Sequence, residues 1–101
     1  MERKECAGCT RLKQRSEQEY NDLIRRLNRI EGQIRGIRGM VEKSAYCPDI
    51  LIQAAAANAA LDAFERALLA NHIKTCVVDD IKNGKEEEAI KELCETIKKM
   101  M

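Results

Sequence analysis

Aromatic and turn-forming residues are scarce in this chain of 101 residues, which has no tryptophan, one proline, five glycines and an aromatic content of 3%. So few aromatics, glycines and prolines argue against an all-β fold, in which aromatic residues fill strands and turn residues join them. Three aromatic side chains are also too few for a module that binds nucleic acid by stacking bases on rings. The composition therefore predicts an all-α protein.

Long apolar runs are also missing. The longest is four residues, as in the alanines at positions 54–57, whereas a membrane-spanning helix needs roughly 18 consecutive apolar residues. No apolar stretch follows the charged residues at positions 2–5, so we expect no secretory signal and a cytoplasmic protein without a membrane partner. In that compartment the five cysteines are expected to be thiols rather than a disulfide framework.

The net charge of +1 conceals an asymmetry between the two halves of the chain. Residues 1–43 carry 11 basic and 7 acidic side chains, whereas residues 44–101 carry 7 basic and 10 acidic ones. A positive N-terminal half indicates an anionic partner, and arginine is the residue that clamps phosphate best. The alternative is an ordinary solvated helix face. The candidate phosphate-binding residues are Arg15, Arg25, Arg26, Arg29, Arg35 and Arg38.

A regular apolar seam predicts a long first helix. Ser16 and Glu19 have the spacing of a capping box, which marks a helix start. Beyond them, apolar residues recur at alternating spacings of three and four, which is the pattern of a heptad seam. The residues of this seam are Tyr20, Leu23, Leu27, Ile30, Ile34, Ile37 and Val41.

Two further helices are predicted after a link at residues 43–46. The second begins at Pro48, which suits a first helical turn, and nothing ends it before Asn83-Gly84, a good C-cap pair. The third begins at Glu86, with acidic residues first and lysines last, as the helix dipole favours. We expect a single helical domain at residues 16–101 and a mobile N-terminal arm at residues 1–15.

The predicted helices cannot bury their own seams. The second helix would be about 50 Å long at 1.5 Å per residue, which is too long for one small globule. We therefore predict that the chain forms a homo-oligomer by helix pairing. The simplest closed form is an antiparallel four-helix bundle built from two chains.

Three residues of the second helix form a candidate metal site. His72 and Cys76 are four residues apart and share a helix face, and Cys47 lies at the helix start, where the dipole favours a thiolate. Because Cys47 and His72 are 25 residues apart, or about 37 Å along an unbroken helix, only two antiparallel chains can bring them together. An isolated His-x-x-x-Cys pair is more often part of a core, and Cys47 is what favours a site.

The donor set selects among metals. Two thiolates and one imidazole suit Cu(I) best, whereas Zn(II) wants a fourth ligand and Ni(II) prefers more nitrogen or oxygen donors. A second, weaker signal is the pair Cys6 and Cys9 in the N-terminal arm. A lone C-x-x-C motif is compatible with an accessory soft-metal or redox site, or with an exposed pair of no function.

Three segments carry a resemblance to a known family: RLNRIEGQIRGI at residues 26–37, YCPDILIQ at 46–53 and NHIKTC at 71–76. They resemble the CsoR/RcnR family of bacterial, all-helical repressors that sense metals or thiols, over residues 16–101. The resemblance implies a disc-shaped homotetramer made of two antiparallel dimers. It also implies that the apo form binds double-stranded operator DNA and that an inducer releases it.

The resemblance also assigns roles to particular residues. It implies that Cys47, His72 and Cys76 are ligands of Cu(I), the inducer in the copper-sensing branch of the family. Tyr46 and Glu92 match residues that link the ligand histidine to the DNA-binding state.

For DNA contacts the resemblance points to the first helix. Arg26 matches a DNA-contacting arginine, and Arg25 and Arg29 lie beside it. A second basic position of the family falls at Asp62-Ala63, where this chain has no basic residue, and Arg66 is the nearest substitute.

Other interpretations stay open. The family's persulfide sensors share both cysteines but lack the histidine, and its nickel and cobalt sensors add N-terminal histidines, whereas this chain has only His72. The alternatives are a thiol- or persulfide-sensing repressor that uses Cys47 and Cys76, a repressor of another metal such as nickel or zinc, and a copper carrier without a DNA role. An enzyme is not expected, because the sequence shows no oxyanion hole or substrate cleft.

Overall fold

The protein is all-helical over residues 12–101, the part of the chain that the computed structural model describes. The elements are α1 (Glu17–Glu42), α2 (Cys47–His72), a π-helical segment (Ile73–Val77), α3 (Val78–Lys82) and α4 (Glu86–Met100). The π-helical segment and α3 continue α2 without a gap, so the elements form three helical stretches, which confirms the predicted all-α class. None of these helices is long and apolar enough to span a membrane.

Helix α1 begins as predicted. Ser16 is the N-cap, and its hydroxyl accepts a hydrogen bond from the backbone N–H of Glu19 at 3.1 Å. The Glu19 carboxylate lies 3.6 Å from Arg15 Nε and 4.0 Å from Lys13 Nζ. The residues just before α1 are therefore held against its first turn.

The two predicted links are also confirmed. After α1 the chain turns at Ser44, whose φ of 58° lies in the left-handed region, and Tyr46 becomes the N-cap of α2 with Pro48 in the first turn. Helix α3 ends at Asn83-Gly84, where Gly84 adopts a φ of 79°. Glycine is common just after a helix because it has no Cβ and therefore adopts this left-handed conformation without a steric clash.

The π-helical segment at residues 73–77 differs from the plain helix that the sequence predicts. Within it, the hydroxyl of Thr75 donates to the carbonyl oxygen of Asn71 at 2.8 Å. Thr96 makes the same kind of bond to the carbonyl oxygen of Glu92 within the regular helix α4, so the Thr75 bond alone does not account for the change. The helix is wider over the turn just after His72 and continues into α3.

Packing within the chain leaves much of its apolar surface uncovered. Helices α1 and α2 pack side by side, and α4 packs against the π-helical segment and α3. Because the link between α1 and α2 is short, the two helices run antiparallel. The buried hydrophobic residues among those described are few: Leu23, Ala57, Val77 and Ala89.

The predicted heptad seam of α1 is divided between two faces. Leu23 is buried against α2, whereas Leu27, Ile34 and Val41, spaced seven residues apart, are 39–59% exposed. The protomer is also elongated, with a radius of gyration of 17.5 Å, whereas a compact domain of this length has about 13 Å. A repeated apolar face on an elongated chain supports the prediction of helix pairing between chains, and the assembly itself stays a prediction.

Candidate metal centre

The first candidate ligand lies at the N-terminal end of α2. Cys47 is the first residue of α2, one residue before Pro48, where the sequence predicted the helix to begin, and its thiol is free and exposed. The backbone of Tyr46 is extended, and Pro48 supplies a preset φ for the first turn. This local geometry presents the Cys47 thiol at the tip of the α1–α2 pair.

The other two candidate ligands lie at the opposite end of the same helix. His72 is the last residue of α2, and Cys76 lies four residues later in the π-helical segment; both side chains are partly buried. The hydroxyl of Thr75 lies 3.7 Å from the Cys76 sulfur. Residues four apart share one side of a helix, so the imidazole and the thiol project from the same flank.

A single chain does not bring the three predicted ligands together. Helix α2 is regular over its 26 residues, so Cys47 and His72 are about 37 Å apart at 1.5 Å per residue. Among the described residues of one chain, no group of three or more histidine, cysteine, aspartate or glutamate side chains is arranged to hold a metal ion. Each chain thus carries the predicted ligands in two separate groups, here called half-sites of the candidate metal centre: Cys47 at one end of α2, and His72 with Cys76 at the other.

Of the two residues predicted to support the site, one lies near His72. Glu92 of α4 and His72 line the same groove, which has a volume of about 420 Å³ and lies between the end of α2 and α4. Tyr46 lies at the other end of α2, beside Cys47, and is 74% exposed. The apolar floor of the groove is formed by Leu68, Leu69 and Met100.

The predicted DNA-contacting arginines lie on the outer face of α1. Arg26 Nε donates to Asp22 Oδ2 at 2.9 Å, and Arg25 lies 3.8 Å from the other oxygen of the same carboxylate. Arg29, one turn beyond Arg25, is exposed. Surface ion pairs of this kind contribute only about 0–1 kcal/mol, so a phosphate group can compete with Asp22 for either guanidinium.

On α2, Asp62 and Arg66 are both exposed, and Ala63 is partly buried. Arg66, the nearest substitute for the basic residue that the family has at positions 62–63, therefore lies one helical turn further along α2 and is exposed.

Two contacts beside His72 were not found from the sequence. Lys13 Nζ donates to Asn71 Oδ1 at 3.0 Å, which ties the chain before α1 to the residue that precedes His72. These residues are 58 positions apart, and no local pattern indicates such a contact. The second contact is the hydrogen bond from the Thr75 hydroxyl to the carbonyl oxygen of Asn71. The sequence does indicate a bond of this kind, since threonine within a helix tends to bond back to the preceding turn. Cys6 and Cys9 lie outside the described residues.

Comparison with known proteins identifies relatives of the whole helical region. A protein 47% identical over 88 residues, 87% of each chain, is the copper-sensing transcriptional repressor CsoR of Bacillus subtilis (strain 168). Among solved structures, CsoR of Geobacillus thermodenitrificans NG80-2 with Cu(I) matches with a TM-score of 0.84 and 40% identity, over 88% of this chain and 93% of that one.

A second solved structure, the nickel-responsive transcriptional regulator InrS, matches with a TM-score of 0.72 and 38% identity, over 89% of this chain and 98% of that one. The sequence model of a family described as metal-sensitive transcriptional repressors matches residues 19–99. That range includes both half-sites, Cys47 at one end of α2 and His72 with Cys76 at the other. The chain belongs to the family of metal-sensitive transcriptional repressors.

Proposed function

We propose that the protein is a copper(I)-responsive transcriptional repressor of the cytoplasm, whose apo form binds operator DNA and releases it when Cu(I) binds. The observation that carries the proposal is the placement of soft donors at the two ends of α2, with Cys47 at one end and His72 with Cys76 at the other. Two thiolates and one imidazole suit Cu(I). The copper-sensing relative that is 47% identical supports the same metal.

The proposed site is shared between two chains. If two α2 helices lie antiparallel, Cys47 of one chain faces His72 and Cys76 of the other, and the dimer holds two equivalent sites. Leu51 and Ile52 of α2 are 67% and 64% exposed in the protomer, and such a surface is suited to burial against another chain. Two such dimers would form the disc-shaped homotetramer implied by the family resemblance.

The groove beside His72 suggests how copper changes DNA binding. When one ring nitrogen of His72 binds a metal, the other is left to donate a hydrogen bond, which fixes the orientation of the ring. Glu92 lines the same groove and offers a carboxylate acceptor, and Tyr46 of the neighbouring chain is the second acceptor. This bond would draw α4 towards the end of α2, and α2 packs against the α1 helix that carries the arginines.

Nickel is the second candidate inducer, because the nickel-responsive regulator InrS is also a structural neighbour. The donors of this chain favour copper, since Ni(II) prefers additional nitrogen or oxygen ligands and His72 is the only histidine. A thiol-sensing role for Cys47 and Cys76 would need no histidine at all. The effect of replacing His72 therefore distinguishes these functions.

An anaerobic gel-shift experiment tests the proposed function. The probe is the duplex upstream of the protein's own gene, and we expect the apo protein to retard it and one equivalent of Cu(I) per chain to release it. Ni(II), Zn(II) and a persulfide donor should release much less DNA at the same concentration. His72→Ala should still bind the probe and fail to respond to Cu(I). Release by a persulfide donor alone, with or without His72, would contradict the proposal.

Replacement of Arg26 tests the DNA-binding face. We expect Arg26→Ala to weaken operator binding and to lower the slope of log K against log salt by about 1 for each arginine–phosphate pair removed, because each such pair releases a counterion when it forms. The affinity for Cu(I) should stay nearly unchanged. The control is Lys91→Ala on α4, which removes the same charge from a different surface. Equal effects in the two variants would show that only net charge matters.

A further inference from the structure

A carboxylate lies between two of the arginines of α1 that are proposed to contact DNA. Asp22 Oδ2 accepts a hydrogen bond from Arg26 Nε at 2.9 Å, and Asp22 Oδ1 lies 3.8 Å from Arg25 Nη1. Asp22 is three residues before Arg25 and four before Arg26, so at 3.6 residues per turn its side chain leaves the helix between theirs. One negative charge is therefore built into the surface that is proposed to bind phosphate.

The Asp22 carboxylate is accessible to a bound partner. The Asp22 side chain is 46% exposed and the Arg26 side chain 41%, so a DNA backbone that reaches the Arg26 guanidinium also comes close to the Asp22 oxygens. Salt screens charges only in part at this range, because the Debye length is about 8 Å at physiological ionic strength. A phosphate group at this face is therefore attracted by the guanidinium and repelled by the carboxylate.

The atom that Asp22 binds adds to this conflict. Arginine holds phosphate most strongly through two parallel N–H bonds from one edge of the guanidinium. One such edge combines Nε with a terminal nitrogen, and the other combines the two terminal nitrogens. Because Asp22 accepts from Nε of Arg26, a phosphate can use the first edge only after the internal pair has opened.

We propose that Asp22 is an internal competitor of DNA phosphate, which holds Arg26 in the free protein and gives up this guanidinium when α1 binds DNA. The proposal rests on the proposed function, because it needs the α1 arginines to contact DNA. The opened pair and the repulsion of phosphate both weaken the complex, so Asp22 lowers the affinity for DNA. Since phosphate contacts carry no sequence information, the affinity is lowered for operator and unrelated DNA alike.

The same ion pair has an opposite effect on the helix. An acidic residue four positions before a basic one stabilises a helix modestly. Asp22→Asn, which keeps the shape of the side chain and removes its charge, should therefore leave the midpoint of thermal unfolding unchanged or lower it slightly. A gain in DNA affinity with this variant cannot then come from a more stable fold.

The affinity of the full-length apo protein for DNA tests the proposal. In fluorescence anisotropy with the duplex upstream of the protein's own gene, we expect Asp22→Asn to bind about fivefold more tightly, because a surface ion pair shifts an equilibrium by up to about that factor. An unrelated duplex of equal length should gain the same factor. The control is Glu42→Gln, which removes an exposed carboxylate from the last turn of the same helix and should gain less than about twofold.

Three results with the single variants would overturn the proposal. Equal gains in Asp22→Asn and Glu42→Gln would show that only the net charge matters. Weaker binding by Asp22→Asn would show that the carboxylate orients the arginines for DNA. A gain confined to the operator would show that Arg26 is withheld from a base and not from phosphate.

A double-mutant cycle tests whether Asp22 acts through Arg26. In the Arg26→Ala background no Arg26 pair remains to be opened, so Asp22→Asn should tighten DNA binding by no more than about twofold. The same gain in both backgrounds would show that the carboxylate repels DNA directly, which would overturn the competition for Arg26. If Arg26→Ala alone does not weaken operator binding, the DNA-binding face of the proposed function fails instead.

Discussion

A dimer assembled from two defective chains is expected to recover one tight copper site. One chain carries Cys47→Ala, and the other carries His72→Ala and Cys76→Ala. In the mixed dimer, one site combines the intact Cys47 of the second chain with the intact His72 and Cys76 of the first, and the other site lacks all three ligands. Each variant alone has only incomplete sites and should bind Cu(I) at least about 100-fold more weakly, since loss of a supporting residue alone costs 10–100-fold.

The measurement uses two affinity tags to isolate mixed dimers from co-expressed chains, followed by anaerobic titration with Cu(I) in competition with bicinchoninate. Both chains should also carry Cys6→Ser/Cys9→Ser, so that the accessory site which the sequence allows at these thiols does not enter the count. The expected result is the affinity of the Cys6→Ser/Cys9→Ser protein at half of its stoichiometry. Mixed dimers that bind no better than the parent variants would show that the ligands do not meet across chains. Tight binding by Cys47→Ala alone would remove Cys47 from the ligand set.

Glu92→Ala is expected to separate copper binding from DNA release. The three ligands stay in place, so the Cu(I) affinity should fall by no more than about 10–100-fold. The coupling between copper and DNA, typically 5–150-fold for linked sites, should fall towards one, because His72 loses the carboxylate that lines its groove. Operator affinity measured by fluorescence anisotropy, with and without saturating Cu(I), gives the coupling directly.

The matched control for this experiment is Glu87→Ala, which removes an exposed carboxylate from the first turn of the same helix. It should keep the wild-type coupling. Because linkage is reciprocal, DNA should weaken Cu(I) binding by the same factor in each variant, which provides an internal check. If Cu(I) releases DNA from Glu92→Ala as it does from the wild type, the coupling between copper and DNA depends on a contact other than that of His72 with Glu92.

Local signals made most of the fold predictable. Ser16, Pro48 and Asn83-Gly84 mark helix ends through the conformations of their own backbones and side chains, so their effect can be recognised without knowledge of the rest of the chain. The π-helical segment was not predicted, because the apolar periodicity of residues 73–77 does not distinguish a π-helical turn from an α-helical one. The contact of Lys13 with Asn71 joins residues too far apart for any periodic pattern to indicate.

The candidate site was predictable in its parts for a different reason. The spacing of His72 and Cys76 places them on one flank of a helix, and the length of α2 separates them from Cys47; both are consequences of helix geometry. A role for Glu92 with His72 was suggested only by family resemblance, and the groove that both residues line was not predicted, since it depends on how α4 folds back after Gly84. How two chains meet depends on the exposed faces of both, which one chain does not determine.

The placement of the candidate ligands at opposite ends of helix α2 has a genetic consequence if the proposed cross-chain sites form. In a cell with two versions of the gene, chains would assort at random, and each copper site would draw its ligands from two gene products. A chain that has lost Cys47 would keep the proposed DNA-contacting arginines of α1, yet it would leave one site incomplete in every dimer that it joins. Alleles that abolish copper sensing are thus expected to be dominant over the wild type, and those that abolish helix pairing recessive.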